Sequence, residues 1–543
     1  MVTVMKDEED GGTKISVRSI NVRSRDKVKR EKEVEANEST GITTLMKKGK
    51  NIWQEYTECS SIHGIKYLGH VPMRISIFGK FFWFFILIAG FFCVVLMVQK
   101  FWQRYQLIPF DTIIVSFNTP KTRIDFPAVT ICPTIPPPTA MREKMRKQIE
   151  KVPADLTEGD VEFLIKHGAD MSHPYVPFSK DMDINKMQRL LAVNNLTLQQ
   201  FIPLISRPCH RLFESCWFAK RKVNCSQIFH FSYSYKGLCC SFNYILEYHL
   251  TLRSLSRNID WSVVQRSSLI GIDGGLTVIF KRDLFKSLNA EDSLEHVFSN
   301  SVGCLVIIHP TVDYPSDEYP VYIVQANRET QLSMYSADVI KKTQNDIFLS
   351  DYARCLKYDS DLPFFPGYLN SNCYISCQLE ASLEICGCIH YYYQPMAVYA
   401  SKRVCDYVDI PCLTKNRDKI RQVAIDHRKL SFKCNCQNSC RVNQFTARAN
   451  YIMTENPEYC SSPVYRSFKK DRAILRVFWS SQDQNTIHSY PALDGLQLIA
   501  SIGGIFSLFL GCSFLSIIEI FYFIGLLSRS LMPAKKHAKL RKA

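Results

Sequence analysis

The residues with the clearest capacity for chemistry lie in the segment from Gly503 to Glu519, which reads GGIFSLFLGCSFLSIIE. This segment belongs to an apolar run from about Leu496 to Leu527, in which Glu519 is the one charged residue. Such a run is typical of a membrane span. As one helix it would be roughly 48 Å long, against a hydrocarbon core of about 30 Å. We therefore expect the helix to tilt strongly, to break or to continue into water.

Small residues form a row in this run, because Gly503, Ser507 and Gly511 recur every four positions on one helix face. Such a row lets helices approach closely. Free backbone carbonyls in the tripeptide Gly511 to Ser513 would be tolerated only against protein or a water-filled path. A lipid-facing Glu519 would be costly. Two interpretations stay open: a tightly packed span with Glu519 near the cytosolic interface, or a pore-lining helix that narrows at this tripeptide.

A second candidate is the pair His63-Gly64, which lies shortly before the other long apolar run, Phe81 to Val98. A His-Gly pair alone is most often a turn, and its position before a span is what makes it a candidate. The 18 uncharged residues of the run predict the first span. Residues 1 to 77 contain no apolar run sufficient for a signal peptide, so we expect this span to direct its own insertion.

Charge around the two runs predicts the orientation of the chain. Lys66, Arg74 and Lys80 precede the first run, whereas Asp483 and Asp494 precede the second. Both termini are therefore predicted to be cytosolic and the middle to be outside. The formal charge of +16 comes largely from membrane-flanking residues. The basic C-terminal tail has no interleaved aromatic residues, so it indicates orientation or contact with anionic lipid rather than nucleic-acid binding.

The cysteines indicate an oxidising compartment for the middle of the chain. Of 21 cysteines, 18 lie between Cys132 and Cys460. An even number in a segment predicted to be outside is typical of a disulfide framework. The C-x-C pairs in the dense region Cys373 to Cys440 could also bind zinc, although zinc sites usually combine C-x2-C pairs with histidine. Two sequons, at Asn195 and Asn224, are compatible with glycosylation outside the cell.

The segment 103–494 is large enough for its own core and is predicted to be a mixed α and β domain. Strands are predicted at Phe126 to Cys132, at Leu276 to Phe280 and at Cys304 to His309, with further strands in the region Phe229 to Tyr248. Residues Ala140 to Val152 are compatible with a helix. The predicted organisation is a cytosolic segment 1–80, a span 81–102, the ectodomain 103–494, a span 495–527 and a cytosolic tail 528–543.

Four motifs, in this order and spacing, resemble the degenerin/epithelial sodium channel family, and within it the insect pickpocket branch. They are His63-Gly64, the sequence FPAVTICP from Phe126 to Pro133, the cysteine ladder, and the Gly503-Gly504 pair followed by Gly-x-Ser and Glu519. The resemblance implies a two-span α-helical membrane protein with a disulfide-rich α+β ectodomain of palm, finger, thumb and knuckle elements. It also implies three subunits around a central pore in the plasma membrane.

The resemblance also assigns roles to residues. It places the ion filter at Gly511, Cys512 and Ser513, and the inner pore at His63, Gly64 and Glu519. It places the gate, with the position at which larger residues hold such channels open, at Ala500 and Ser501. Packing between helices falls to Gly503, Gly504 and Ser507. Cys512 is larger and softer than the alanine usual in the family, so the sequence leaves the exact ion selectivity open.

The disulfides implied by the resemblance include five nested pairs in the thumb. These are Cys355–Cys440, Cys373–Cys436, Cys377–Cys434, Cys386–Cys412 and Cys388–Cys405. Two further pairs, Cys132–Cys239 and Cys209–Cys216, are predicted nearer the first span. Cys225, Cys240, Cys304 and Cys460 stay unassigned.

The function implied is a stimulus-gated, amiloride-sensitive, sodium-preferring cation channel of sensory type, which needs no cofactor and carries Na⁺ as its permeant ion. Expected partners are related subunits and an unknown extracellular ligand or mechanical tether. A non-conducting or obligate-heteromer subunit is the first alternative. An ATP-gated channel shares the two spans but not the Gly-x-Ser or His-Gly motifs. The chain contains no G-x-S-x-G or H-E-x-x-H set, so an ectoenzyme is disfavoured.

Overall fold

The computed structural model describes thirteen segments of the chain. The chain divides into two compact units. The described segments are residues 47–69, 76–107, 110–120, 125–134, 139–171, 184–251, 261–285, 303–341, 355–422, 434–453, 462–466, 472–491 and 495–531. Residues 109–492 form one unit, here called the disulfide-rich unit, and residues 1–108 with 493–543 form the other, here called the helical unit. Residues 1–46 and the tail after residue 531 lie outside the described segments.

The helical unit contains the two apolar runs. Residues 47–59 form a helix, Ile65–Tyr67 a single 3₁₀ turn, and Ile77–Leu107 a helix of 31 residues. The second run forms two helices, Gly495–Leu510 and Phe514–Leu531. The helices extend beyond the predicted bounds of 81–102 and 495–527, because residues that flank the apolar runs are helical as well.

One helix of the described residues is long and apolar enough to cross a membrane by itself, over Ile77–Arg104. The segments Leu496–Leu510 and Phe514–Ser530 meet the same criterion only as a pair, across a bend of 71°.

The disulfide-rich unit is built on two larger sheets and a two-stranded ribbon. Its described strands are β1 Phe110–Pro120, β2 Ala128–Pro133, β3 Phe213–Phe218, β4 Arg221–Val223, β5 Phe229–Ser234, β6 Gly237–Phe242, β7 Leu276–Phe280, β8 Cys304–His309, β9 Val321–Val324, β10 Arg328–Lys341, β11 Cys355–Leu356, β12 Asn438–Ser439, β13 Arg441–Met453, β14 Ile474–Trp479 and β15 Asp483–Pro491. The strands predicted from the sequence at β2, β7 and β8 are confirmed, as is strand structure after Phe229.

Strand β10 organises the larger sheet, whose order is β1-β15-β10-β14-β7-β3-β4 with β13 on the other side of β10. Along one edge, β10 pairs in parallel first with β14 and then with β15, while β13 pairs antiparallel with it from Arg328↔Met453 to Ile340↔Arg441. The five-stranded sheet has the order β5-β6-β2-β8-β9. Long apolar runs such as LTVIF and CLVIIH therefore occupy strands that are buried along their whole length.

Aromatic residues from both larger sheets share one hydrophobic core. Phe126, just before β2, makes edge-on ring contacts with Phe218, Phe242 and Trp479 at centroid distances of 5.4, 5.9 and 5.6 Å. Edge-on pairs of this kind add stabilisation beyond their buried area. The FPAVTIC segment thus holds the two sheets together, which is a structural role.

Helices cover the rest of the disulfide-rich unit. They are Thr139–Gln148, Glu158–Met171, Ile184–Val193, Leu198–Ile205, Cys209–Leu212, Cys225–Ile228, Leu246–Thr251, Asn370–Cys386, Gln394–Tyr399, Ile410–Lys415, Arg417–Arg421 and Pro463–Arg466. The first of them confirms the helix predicted at Ala140 to Val152. Asn370–Cys386 ends at Gly387, whose φ of 71° is the left-handed conformation that closes a helix.

A ladder of five disulfides cross-links the region from Cys355 to Cys440, and three of them join the helix Asn370–Cys386 to the segments that follow it. The pairs are Cys355–Cys440, Cys373–Cys436, Cys377–Cys434, Cys386–Cys412 and Cys388–Cys405. These are the pairs that the family resemblance implied. All ten cysteines are bonded, so the region offers no thiolate to zinc.

The cysteines nearer the N-terminal side correct one prediction. Cys132 pairs with Cys239 as expected, but Cys209 pairs with Cys240 and not with Cys216. Cys216 instead pairs with Cys225. The reason is the β3–β4 hairpin, in which Cys216 lies opposite Val223 and so brings Cys225 within reach. Cys304 is free and buried, and Cys460 lies outside the described residues.

A buried ion pair and a separate buried carboxyl group mark positions where the disulfide-rich unit is sensitive to change. Arg476 of β14 forms an ion pair with Glu329 of β10 at 2.9 Å, and each side chain is 2% exposed. Glu329 also accepts a hydrogen bond from Tyr465 Oη at 2.6 Å. Asp313 is 4% exposed; its Oδ2 accepts from Ser371 Oγ at 2.7 Å. Burial raises the pKa of Asp313 to about 6.

Candidate functional site

The second apolar run breaks at the tripeptide Gly511 to Ser513, which is one of the three outcomes that its excess length left open. Gly511 has a φ of +66°, and its N–H donates to the Ser507 carbonyl at 2.9 Å, which closes the helix Gly495–Leu510. The helix Phe514–Leu531 begins after Ser513, whose N–H donates to Ser516 Oγ at 2.9 Å. Within the described residues, no donor is paired with the carbonyl oxygens of Gly511 and Cys512.

The His-Gly segment lies directly against this break. The His63 N–H donates to the Leu510 carbonyl at 3.1 Å, one of the carbonyls that the end of the helix leaves free. A Cβ atom built on Gly511 would lie 1.5 Å from His63 Nδ1, so the imidazole occupies the space that a side chain would need. The structure therefore brings together two motifs that the sequence placed in the inner pore and the filter.

Gly64 lets the chain turn away after this contact. Its φ of +89° is a left-handed conformation, and a Cβ there would lie 3.4 Å from both Trp83 and Leu87 of the first apolar helix. Tyr67 then stacks on Trp83 with ring centroids 4.5 Å apart. The segment is thus held between the break and the first apolar helix.

A hydrogen-bonded group on the other side of the break includes two serines that sequence reasoning missed. Ser61 donates to Glu519 Oε2 from its N–H at 3.2 Å and from its hydroxyl at 3.0 Å. Ser61 Oγ also lies 2.6 Å from Ser516 Oγ. Ser516 is 1% exposed and reaches Ser513, as described above. The position of Ser61 two residues before the His-Gly pair was the only available signal, and serine is too common for that to suffice.

The helix of residues 47–59 packs on the same part of the second run. Tyr56 and Phe523 make an edge-on ring contact at 5.2 Å, and a Cβ on Gly49 would lie 3.9 Å from Leu527. The two apolar helices approach at Gly90, where a Cβ would lie 3.3 Å from the Phe509 carbonyl. The small residue that makes this approach possible is Gly90 of the first helix. It does not belong to the predicted row of small residues in the second run.

The residues assigned to the gate and to helix packing face outward in the single chain. Ala500, Gly503, Gly504 and Ser507 are exposed, and Ser501 is half-buried. Among the described residues, and apart from the chain neighbours and the adjacent backbone of the same helix, no heavy atom lies within 4 Å of a Cβ built on Gly503 or Gly504. Packing at these glycines is therefore not made within one chain, and it stays a prediction for contact with another subunit.

The two predicted glycosylation sites lie on the surface of the disulfide-rich unit. Asn195 is exposed in a turn after the helix Ile184–Val193, with a φ of 55°. Asn224 is also exposed, and its Oδ1 accepts from Ser226 Oγ at 2.8 Å. Both positions are open to a glycan, and glycosylation stays a prediction.

Comparison with known proteins covers most of the chain. A family model described as "Amiloride-sensitive sodium channel" matches residues 56–523. The protein named "Sodium channel protein Nach" of Drosophila melanogaster is 26% identical over 502 residues, which are 88% of this chain and 88% of the relative. Pickpocket protein 28 of the same organism is 23% identical over 518 residues, 86% of this chain and 77% of the relative. The epithelial sodium channel subunit gamma of Rattus norvegicus is 23% identical over 358 residues, 62% and 50% respectively.

Proposed function

The chain belongs to the amiloride-sensitive sodium channel family, the degenerin/epithelial sodium channel family that its motifs indicated, and we propose that it is a subunit of a stimulus-gated, sodium-preferring, amiloride-sensitive cation channel. A sensory role belongs to the same proposal. The family is one of ion channels rather than enzymes. The observation that carries the proposal is the contact between the His63-Gly64 segment and the helix break at Gly511.

The proposed assembly is a trimer in the plasma membrane, with two spans in each subunit and both termini in the cytosol. The bent pair of helices is taken as one broken span, since together they have the length and hydropathy that a span needs. The exposed face of Ala500, Gly503 and Gly504 would then meet neighbouring subunits or the pore. Related subunits are the expected partners.

The proposed ion path uses oxygens at the break. Non-helical backbone at membrane depth is tolerated where it lines a water-filled path, and the free carbonyls of Gly511 and Cys512 fit that condition. Together with the Ser513 hydroxyl they would replace part of the hydration shell of Na⁺, while weak binding keeps ions moving. Glu519 adds negative charge on the cytosolic side, which favours cations over anions. Because Cys512 is larger than the alanine usual at this filter position, the proposed filter has a selectivity among cations that is particular to this chain.

In this proposal the disulfide-rich unit senses the stimulus. Three of the five nested disulfides cross-link the helix Asn370–Cys386 to the segments around Cys412 and Cys436. A cross-linked element deforms little, so it transmits a displacement from one end to the other. An extracellular ligand or a mechanical tether would act on this unit.

The second candidate is a subunit that conducts only in a heteromer. The rat relative is named as a subunit of an epithelial sodium channel, and two other mammalian relatives carry the same name. Such a subunit would keep the same ion path but would need related chains to complete the pore.

The experiment that tests the proposal is two-electrode recording from oocytes that express the full chain with Ala500→Val. A larger residue at this exposed position of the Gly495–Leu510 helix is expected to hold the pore open. We expect a constitutive sodium current that amiloride blocks. Adding Ser513→Trp should remove that current while surface labelling is retained, because the indole would fill the filter.

The Ala500→Ser substitution is the matched control, since serine adds one atom and should leave the channel closed without a stimulus. A surface-labelled Ala500→Val chain that is silent alone and also silent with pickpocket relatives would contradict the proposal. Current that appears only on co-expression supports the heteromer. An undiminished current with Ser513→Trp would contradict the filter assignment.

A further inference from the structure

We propose that Ser61 is a positioning residue of the ion path, which holds the Glu519 carboxylate in place and, through Ser516, the Ser513 end of the filter. This inference rests on the proposed function and extends it to a residue outside the family motifs used above. Its consequence is that the chain before the first span, and not the second run alone, determines how the channel discriminates among cations.

The first observation is the way Glu519 is held. One carboxylate oxygen, Oε2, accepts both the N–H and the hydroxyl of Ser61, at 3.2 and 3.0 Å. Within the described residues, Oε1 has no hydrogen-bond partner. Two donors on one oxygen fix the direction in which the carboxylate points, and hydrogen bonds to a charged group are stronger than those between neutral groups. One oxygen stays available to an ion.

The second observation is a relay of hydroxyl groups from Ser61 to the filter. Ser61 Oγ lies 2.6 Å from Ser516 Oγ, and Ser516 Oγ accepts the Ser513 N–H at 2.9 Å. Ser516 is almost completely buried. Since a buried hydroxyl needs a partner, Ser516 is held by the two groups that it joins. A displacement of Ser61 would therefore change the surroundings of Ser513 and Glu519 together.

The third observation is that Ser61 is not a freely moving end of the chain. The helix 47–59 before it contacts the second run at Tyr56 and Phe523. The next motif residue, His63, is bound through its N–H to the Leu510 carbonyl. Ser61 is thus anchored from both sides, which keeps the loss of conformational entropy on binding Glu519 small.

A purely structural role for Ser61 would alter the amount of current but not the ratio of permeabilities. A positioning role alters the ratio, because discrimination between Na⁺ and K⁺ depends on where the oxygen ligands are held. It also requires that the effect of Ser61 pass through Glu519. A double-mutant cycle tests this directly.

The experiment uses the full chain with Ala500→Val, and measures the Na⁺ to K⁺ permeability ratio from reversal potentials. We expect Ser61→Ala to lower the ratio by about tenfold, which corresponds to about 1.4 kcal/mol, the scale of a hydrogen bond to a charged group. Ser61→Thr keeps the hydroxyl and should restore the ratio. Ser60→Ala is the matched control, because the Ser60 hydroxyl accepts from the Ile62 N–H.

The cycle adds Glu519→Gln. We expect Ser61→Ala to have little further effect in that background, because the carboxylate that it positions is gone. An unchanged ratio with Ser61→Ala, or an effect that adds in full to that of Glu519→Gln, overturns the inference. An Ala500→Val parent that reaches the surface but is silent both alone and with pickpocket relatives is a different result. It contradicts the proposed function before Ser61 is changed, and the permeation role of Ser61 falls with it.

A second measurement does not depend on current. With Cys59 and Cys512 replaced by Ser, the pair Ser61→Cys and Ser516→Cys should lose two thiols on mild oxidation, because the two Oγ atoms lie 2.6 Å apart. Thiols are counted with maleimide after denaturation, because position 516 is buried in the folded protein. Each single cysteine variant should keep its thiol. If the double variant reaches the surface and keeps both thiols under oxidant, the relay is absent and the inference is overturned.

Discussion

Gly511→Ala is the change that tests the helix break most directly. At a φ of +66° an L-residue with a side chain costs about 1–2 kcal/mol. The new Cβ would lie 1.5 Å from His63 Nδ1 and 2.3 Å from Cε1, so the imidazole must leave. Its departure strains the His63 N–H to Leu510 carbonyl bond, and such a bond contributes about 0.5–1.5 kcal/mol.

Together these terms disfavour the intact break by about 1.5 to 3.5 kcal/mol, or roughly 10- to 400-fold in its population. We expect the current per surface-labelled subunit of the Ala500→Val chain to fall at least tenfold when Gly511→Ala is added. Gly525→Ala is the matched control. It lies in the helix Phe514–Leu531 with open space where its Cβ would be, and alanine favours helix over glycine by about 0.8–1 kcal/mol.

Because the clash at position 511 is with the His63 imidazole, the effects of substitutions at Gly511 and His63 should be coupled. Removing the imidazole with His63→Ala should make Gly511→Ala less damaging than it is alone, although the backbone strain remains. If the two substitutions are simply additive, or if Gly511→Ala conducts like Gly525→Ala, the imidazole does not occupy the space beside Gly511, and the reasoning is refuted.

Three further predictions concern the disulfide-rich unit. In the folded protein the pKa of Asp313 is about 6, above its ordinary value of 3.8. The stability that this group contributes is therefore complete below about pH 3.8 and is lost as pH rises through 6. Asp313→Asn should make the melting temperature less dependent on pH over that range. Arg476→Ala should lower the free energy of unfolding by about 3–5 kcal/mol, because it leaves the buried Glu329 carboxylate without its ion-pair partner. Arg403→Ala, at an exposed ion pair, should lower the free energy of unfolding by under about 1 kcal/mol in the same denaturation assay. Non-reducing peptide mapping should find Cys209 joined to Cys240, and Cys209 joined to any other cysteine would contradict the fold.

Parts of this fold follow from local sequence alone. The strands at FPAVTIC, LTVIF and CLVIIH were predicted because continuous apolar runs of this length suit strands buried on both faces. A length argument limited the second run to a strong tilt, a break or a continuation into water, since one straight helix would exceed the membrane, and the structure shows the break. Such inferences need only neighbouring residues and a physical limit.

The corrected disulfide shows what neither the family resemblance nor the local sequence decided. The resemblance implied that Cys209 pairs with Cys216, and the structure pairs Cys209 with Cys240. The chain between Cys209 and Cys216 passes from the short helix Cys209–Leu212 into β3, and the β3–β4 turn then returns Cys225 towards Cys216. Tertiary pairing of strands, which spacing does not encode, decides the partner.

The break and the His-Gly segment have to be understood as one structure. Sequence reasoning gave Gly511 a role in letting the helix bend and His63 a role in lining the pore, as separate elements. The structure shows a second reason why position 511 requires glycine: the His63 imidazole occupies the space that a side chain there would need. The neighbouring Leu510 carbonyl accepts a hydrogen bond from the His63 N–H. A helix end with free carbonyls needs a partner, and here the partner comes from a segment more than 400 residues earlier. Neither motif can therefore be altered without disturbing the other, because they are joined by contacts that no local pattern in the sequence contains.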